Sequence, residues 1–144
     1  MREKIYQLLM ELRLRGMANV LDQELSRAEN IVFIGNPGTG KSGLAIGLLR
    51  QALISGYRGR FYNAQDLLDE LYASLADHTT PKLINRLCRY DLLVIDELGY
   101  LTLKPEQVNA FFKLMGERYG KKSTIITTNL DYRNGTTSSN VNHL

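Results

Sequence analysis

Gly35-Asn36-Pro37-Gly38-Thr39-Gly40-Lys41-Ser42 follows the apolar run Ile31-Val32-Phe33-Ile34 and opens into a helical pattern near Gly43-Leu44-Ala45. This is G-x-x-x-x-G-K-[ST] between a strand and a helix, the setting that makes such a string a phosphate-binding loop. Glycines at 35, 38 and 40 let main-chain N–H groups turn inward, where a Cβ would obstruct a phosphate. Lys41 supplies a compact positive charge to the β- and γ-phosphates, and Ser42 a hydroxyl for Mg²⁺. The helix behind the loop adds unpaired N–H groups and the positive end of its dipole. Residues 35–43 are therefore the candidate nucleotide-binding stretch, with a Gly-rich chain reversal as the bland alternative.

The second informative run is Leu92-Leu93-Val94-Ile95-Asp96-Glu97. Four consecutive apolar residues predict a strand buried on both faces, as in the middle of a parallel sheet. Two adjacent acids at its end are costly if buried alone and sensible if an ion sits there. Asp96 is placed to hold Mg²⁺ opposite Ser42, and Glu97 to orient and deprotonate an attacking water. A fourth strand, Thr124-Ile125-Ile126-Thr127, leads to Thr128-Asn129. A polar side chain there shares the sheet edge with the phosphate loop, so Asn129 is a candidate contact to the γ-phosphate or the lytic water.

Between these anchors the pattern alternates. The spacing predicts a helix over about 41–55 with Leu44, Leu48, Leu49, Ala52 and Leu53 inward, then a short strand Arg60-Phe61-Tyr62. A helix carrying Leu67, Leu71 and Leu75 follows, with Asn63 as a candidate cap. Asp77–Pro81 reads as a loop, Lys82–Arg89 as a short helix, and Pro105 as the start of a helix with Val108, Phe111, Phe112 and Met115 inward. At the N-terminus, Ile5, Leu8, Leu9 and Leu12, then Met17, Val20, Leu21 and Leu25, predict amphipathic helices that either pack on the core or dock a partner.

The 144 residues fit one domain. A net charge of +3 permits nucleic-acid contact without demanding it. The single cysteine, Cys88, excludes an intrachain disulfide and reads as a packing residue; His78 reads as a loop histidine, not a ligand. No apolar run approaches a membrane span, and Met1-Arg2-Glu3-Lys4 leads into a charged amphipathic stretch that does not read as a signal peptide, so a cytoplasmic setting and no membrane partner are expected. Domain boundaries follow: 1–29 a helical segment, 30–132 the α/β core, and 133–144 a polar, disordered tail.

From Gly35 to Asn129 the chain resembles the IstB-like ATP-binding proteins, helpers of insertion-sequence transposition related to the DnaC helicase loaders within the AAA+ ATPases. The resemblance rests on the phosphate loop, Asp66-Leu67-Leu68-Asp69-Glu70-Leu71, Arg89-Tyr90-Asp91 through Asp96-Glu97-Leu98-Gly99-Tyr100, Arg118-Tyr119, and Ser123 through Asn129-Leu130. It implies a P-loop NTPase fold, three layers α/β/α around a mostly parallel sheet. Lys41 and Ser42 become the Walker A pair, Asp96 and Glu97 the Walker B pair, and Asn129 the first sensor. ATP and Mg²⁺ are the implied cofactors. A transposase or replicative helicase, DNA, and further copies of the chain are the implied partners.

The departures count as well. Family members have a longer connection before the first strand, where Leu25 and Ile31 here nearly adjoin, and they continue past the Thr-Thr-Asn strand to a second sensor arginine. The resemblance thus implies a copy abridged by a deletion and a frame change, with the fifth strand and lid missing. In the expected strand order, fifth-first-fourth-third-second, Ile31–Ile34 would become an edge that invites another chain. Arg118 is a candidate for the arginine that completes a neighbour's site. Lys113, Arg118, Lys121 and Lys122 are candidates for DNA phosphates. Two readings compete: an Mg²⁺-dependent ATPase acting on DNA with a protein partner, and a non-catalytic remnant that binds nucleotide weakly or only assembles with an intact relative. A small phosphate-loop kinase ranks last, since no acceptor-binding lid is recognisable.

Overall fold

Leu92–Asp96 is buried at every position, as its unbroken apolar run requires. The computed structural model describes residues 23, 25–36, 38–99 and 103–129. In it this strand lies inside a sheet built from β1 (Asn30–Ile34), β2 (Gly59–Asn63), β3 (Leu92–Asp96) and β4 (Ser123–Thr128). The spatial order is β1-β4-β3-β2, and every pairing is parallel. This is the expected order for the four strands described. Registers such as Ile31↔Ile125, Leu93↔Thr124 and Phe61↔Val94 bring all four C-terminal ends to one edge.

Helices cover both faces. Helix α1 (Lys41–Ile54) buries Ala45, Leu48, Leu49 and Ala52 against Leu92, Val94 and Ile125, with Leu25, Ile31 and Phe33 packed beside them. Opposite, α2 (Ala64–Ala76), α3 (Thr80–Leu87) and α4 (Pro105–Arg118) enclose Leu93 and Ile95 with Leu67, Leu71, Leu83, Ile84, Leu87, Ala110 and Leu114. The result is the three-layer α/β/α arrangement of an AAA+ domain. The alternation along β3, Leu92 and Val94 to one face and Leu93 and Ile95 to the other, feeds both cores from a single strand.

Local chemistry sets the boundaries. Asn63 leaves β2 and caps α2, its Oδ1 accepting from the Gln65 N–H at 3.0 Å, with Asp66 in the first turn. Helix α3 begins one residue before Pro81, which sits in the first turn where its missing N–H costs nothing. The loop expected over Asp77–Pro81 is therefore shorter, with His78 at φ 56° making the turn. Pro105 opens α4, and Gln107 Oε1 accepts the Lys104 N–H at 3.0 Å.

Two expected stripes shift. Leu53 is half-exposed, and α4 turns Gln107, Ala110, Leu114 and Arg118 inward while Phe112 faces solvent. Gln107 reaches the Leu68 carbonyl at 3.2 Å, and Arg118 satisfies main-chain acceptors, so buried polar side chains hold the row that periodicity gave to Phe112. Of the segment 1–29, Arg27 and its neighbours continue a helical turn from Leu25. The helices expected over 3–21 and the tail over 133–144 lie outside the described residues.

Candidate functional site

The phosphate loop sits at the C-terminal edge of the sheet, and its glycines take backbone angles that other residues rarely adopt. Gly38 and Gly40 are both at φ 83°. Gly35 N–H donates to the Thr128 carbonyl at 3.2 Å, tying the loop to the end of β4. A Cβ on Gly35 would stand 3.0 Å from Thr39 Oγ1. Thr39 and Lys41 both turn back on the Asn36 carbonyl, Oγ1 at 2.9 Å and Nζ at 2.9 Å. The Lys41 ammonium thus lies inside the loop's curve. Pro37 lies outside the described residues.

The acids come from the next strand but one. Ser42 Oγ, in the first turn of α1, donates to Asp96 Oδ1 at 2.8 Å, joining positions 54 residues apart. Thr127 Oγ1, on the intervening strand β4, donates to the same oxygen. Asp96 is 6% exposed, and among the described residues no cation pairs with it. A buried carboxylate met only by hydroxyls is a poor arrangement unless a positive charge is supplied from outside. A serine hydroxyl and a carboxylate oxygen at hydrogen-bond distance form a hard-oxygen donor set of the kind Mg²⁺ takes, the remaining positions falling to water and phosphate. Among the described residues no group of three or more His, Cys, Asp and Glu gathers, so a cage made wholly of protein is not available.

Glu97 follows in the left-handed region, φ 60°, which carries the chain abruptly out of the strand. Its side chain is exposed, and its Oε2 accepts from Asn63 Nδ2 at 3.2 Å. Its N–H donates to Thr127 Oγ1 at 2.9 Å. Asn129 closes the row beside Gly99, where a Cβ would come 3.5 Å from Asn129 Oδ1. Gly38, Gly40, Lys41, Ser42, Gly43, Glu97, Thr127 and Asn129 line one cleft of ≈ 270 Å³. Loop glycines, lysine, serine, Glu97 and the terminal asparagine thus border one cleft, and Asp96 joins them through Ser42.

Two contributors escaped the sequence reading. Asn63 shows there as a helix cap, and its contact with Glu97 exists only because β2 lies beside β3. Thr127 reads as one more strand residue, yet the register that pairs Ile95 with Ile126 places it next to Asp96.

Arg118 requires a correction. It is 1% exposed, so it neither reaches a neighbour's site nor touches DNA. Its guanidinium donates to the carbonyls of Leu87 (2.7 Å), Tyr90 (2.8 Å) and Ser123 (2.6 Å) and to Thr124 Oγ1 (3.0 Å). Burial pulls its pKa down to about 10, so it stays charged at neutral pH. Lys122 also differs from a free phosphate ligand, since it pairs with Asp91 at 2.8 Å at the opposite edge of the sheet. Lys113 and Lys121 are exposed. Cys88 is half-buried, and burial pushes its thiol pKa up, in keeping with a packing role.

A parallel α/β/α sheet in this order, with a glycine loop, lysine and serine facing paired acids across one cleft, defines a phosphate-loop nucleotide-binding domain of the AAA+ type. Residues 12–138 match the family described as IstB-like ATP binding protein, and the chain belongs to that family. It is 38% identical over 109 residues to an insertion-sequence IS232 protein of Bacillus thuringiensis subsp. berliner described as ATP-binding, covering 76% of this chain and 44% of the relative. To its IS21 counterpart from Pseudomonas aeruginosa it is 34% identical over 105 residues, covering 73% and 40%. The crystal structure of the DnaC helicase loader superposes with a TM-score of 0.72 at 27% identity, covering 91% of this chain and 74% of that one. The chain thus spans less than half the length of these two insertion-sequence relatives. Among the described residues no helix is long and apolar enough to cross a membrane.

Proposed function

We propose that this chain binds ATP with Mg²⁺ in the cleft and hydrolyses it to ADP and phosphate, as a helper of DNA transposition or helicase loading. The Ser42 Oγ–Asp96 Oδ1 contact of 2.8 Å carries the reading, because it brings the loop's hydroxyl and the strand's carboxylate to one ion-sized locus. Residues 35–43 would cradle the phosphates, with Lys41 exchanging the Asn36 carbonyl for β- and γ-phosphate oxygens. Ser42 and Asp96 would hold Mg²⁺, which when bound offsets charge on the phosphates. Glu97 would take a proton from a water as that water's oxygen bonds to the γ-phosphorus and the bond to the β,γ-bridging oxygen breaks, leaving ADP. Asn129 would steady the γ-phosphate or the water. The protein partner would be a transposase or replicative helicase, with DNA and further copies of the chain completing the assembly.

The competing reading is a chain that takes up nucleotide without turning it over. Thermal melts with and without Mg-ATP, beside Lys41→Ala, test the shared claim: ligand at a hundredfold its Kd adds about 2.7 kcal/mol to stability. An unshifted native melt would remove nucleotide binding. Phosphate release by the native chain but not by Glu97→Gln separates the two readings.

A further inference from the structure

The geometry points to Thr127 as the positioning residue that sets Asp96 and Glu97 together, an inference that rests on the nucleotide reading of the cleft. Three consecutive residues are anchored on this one threonine. Its hydroxyl donates to Asp96 Oδ1. The same oxygen accepts the Glu97 N–H at 2.9 Å. Its carbonyl accepts the Leu98 N–H at 2.9 Å.

A hydroxyl has one proton to give and two lone pairs to accept with, so it can serve the carboxylate and the amide simultaneously. An ionised carboxylate at this buried position could accept from the amide but would have no proton for Asp96. Valine, of the same shape, can do neither task. The strained backbone at Glu97, φ 60°, persists only where neighbours over-determine it, and the Thr127 hydroxyl and carbonyl supply bonds on both sides of that turn. The direction in which Glu97 leaves β3 therefore depends on a side chain of β4. Likewise Asp96 Oδ1 is held from two sides, by Ser42 of the loop and by Thr127, which fixes the carboxylate before any cation arrives. Thr127 borders the cleft, but its hydroxyl is committed to the two acids, and it acts through them.

The test compares Thr127→Val with Thr127→Ser in the full chain. Without nucleotide, amide hydrogen exchange at Glu97 should accelerate about tenfold or more in Thr127→Val and stay near the native rate in Thr127→Ser. With nucleotide, the gain in ATP affinity on replacing EDTA by Mg²⁺ should shrink by about tenfold in Thr127→Val, affinity in EDTA being unchanged. Thr127→Ser should keep the native gain. An equally protected Glu97 amide in Thr127→Val overturns the assignment, and so does a Thr127→Ser variant as impaired as Thr127→Val, which would make the methyl and not the hydroxyl responsible. If the native chain takes up no ATP at all, the nucleotide reading falls, and the exchange rates still decide whether Thr127 governs the turn.

Discussion

Asn63 Nδ2 donates to Glu97 Oε2 across 3.2 Å, from the end of one parallel strand to the end of its neighbour, while its Oδ1 caps α2. One amide thus ties the proposed base to the start of a helix. Its two ends can be separated by substitution. Asn63→Ala should lose the cap and about 1 kcal/mol of stability. Asn63→Asp keeps an acceptor for the Gln65 N–H and should melt close to the native protein. It also places a second carboxylate against Glu97, and like charges at that range repel. The expected outcome is a near-native melt with altered phosphate release. If Asn63→Asp is indistinguishable from native in both, the contact has no bearing on Glu97.

Arg118 makes a different kind of prediction, about the fold and not the cleft. Arg118→Ala leaves the carbonyls of Leu87, Tyr90 and Ser123 without their donor. Stranding buried acceptors at a chain junction should cost about 3–5 kcal/mol, a large share of a small domain's stability. Lysine has no planar fork, so Arg118→Lys should recover only part of the loss. Denaturant melts in the order native, Lys, Ala are expected. A fully stable Arg118→Ala would show that these buried bonds contribute nothing net to the fold.

The contrast between these residues shows what the sequence could convey. The phosphate loop was legible because Gly38 and Gly40 must adopt backbone angles few residues tolerate, and that demand appears in composition. Likewise β3 was legible because a strand buried on both faces has no polar alternation. On α4 the period finds Phe111 and Met115, which pack against the core, but not Gln107 and Arg118, which turn inward to meet carbonyls of Leu68, Leu87, Tyr90 and Ser123. Those acceptors are grouped by the folded chain, and no helical period encodes where they gather. For the same reason Asn63 and Thr127 stayed hidden. Each acts on a neighbouring strand, and knowing its partner requires the order β1-β4-β3-β2 before it requires the residue.

Acid should probe the N-terminal edge of the sheet. Burial favours the neutral form of Asp91, but the bonds from Lys122 (2.8 Å) and the Arg58 N–H (2.9 Å) outweigh it and hold the carboxyl below its ordinary value. A carboxyl whose pKa is lowered by folding contributes stability in full above its unfolded pKa, about 3.9, and loses it as pH falls through the folded value. Native protein should therefore melt above Asp91→Asn at pH 7, and the gap should close below about pH 4. A gap that is constant from neutral to acid would show that the charge on Asp91 contributes nothing.

The other edge carries the last prediction. Strand β1 pairs only with β4 among the described residues, and its Val32 and Ile34 are 50% and 47% exposed. An apolar strand with unpaired N–H and C=O groups on one side is a template for another chain. Association should therefore pass through β1 and grow with concentration. Val32→Lys and Ile34→Lys put charge on half-exposed positions outside the buried cores, so each should leave the melt within about 0.5 kcal/mol of native. Both should shift sedimentation toward the monomer, because a lysine facing a second apolar edge would have to be desolvated there. Native protein that sediments as a monomer across a hundredfold range of concentration, roughly the span that resolves about 2.7 kcal/mol of association, would show that the edge is silent in solution.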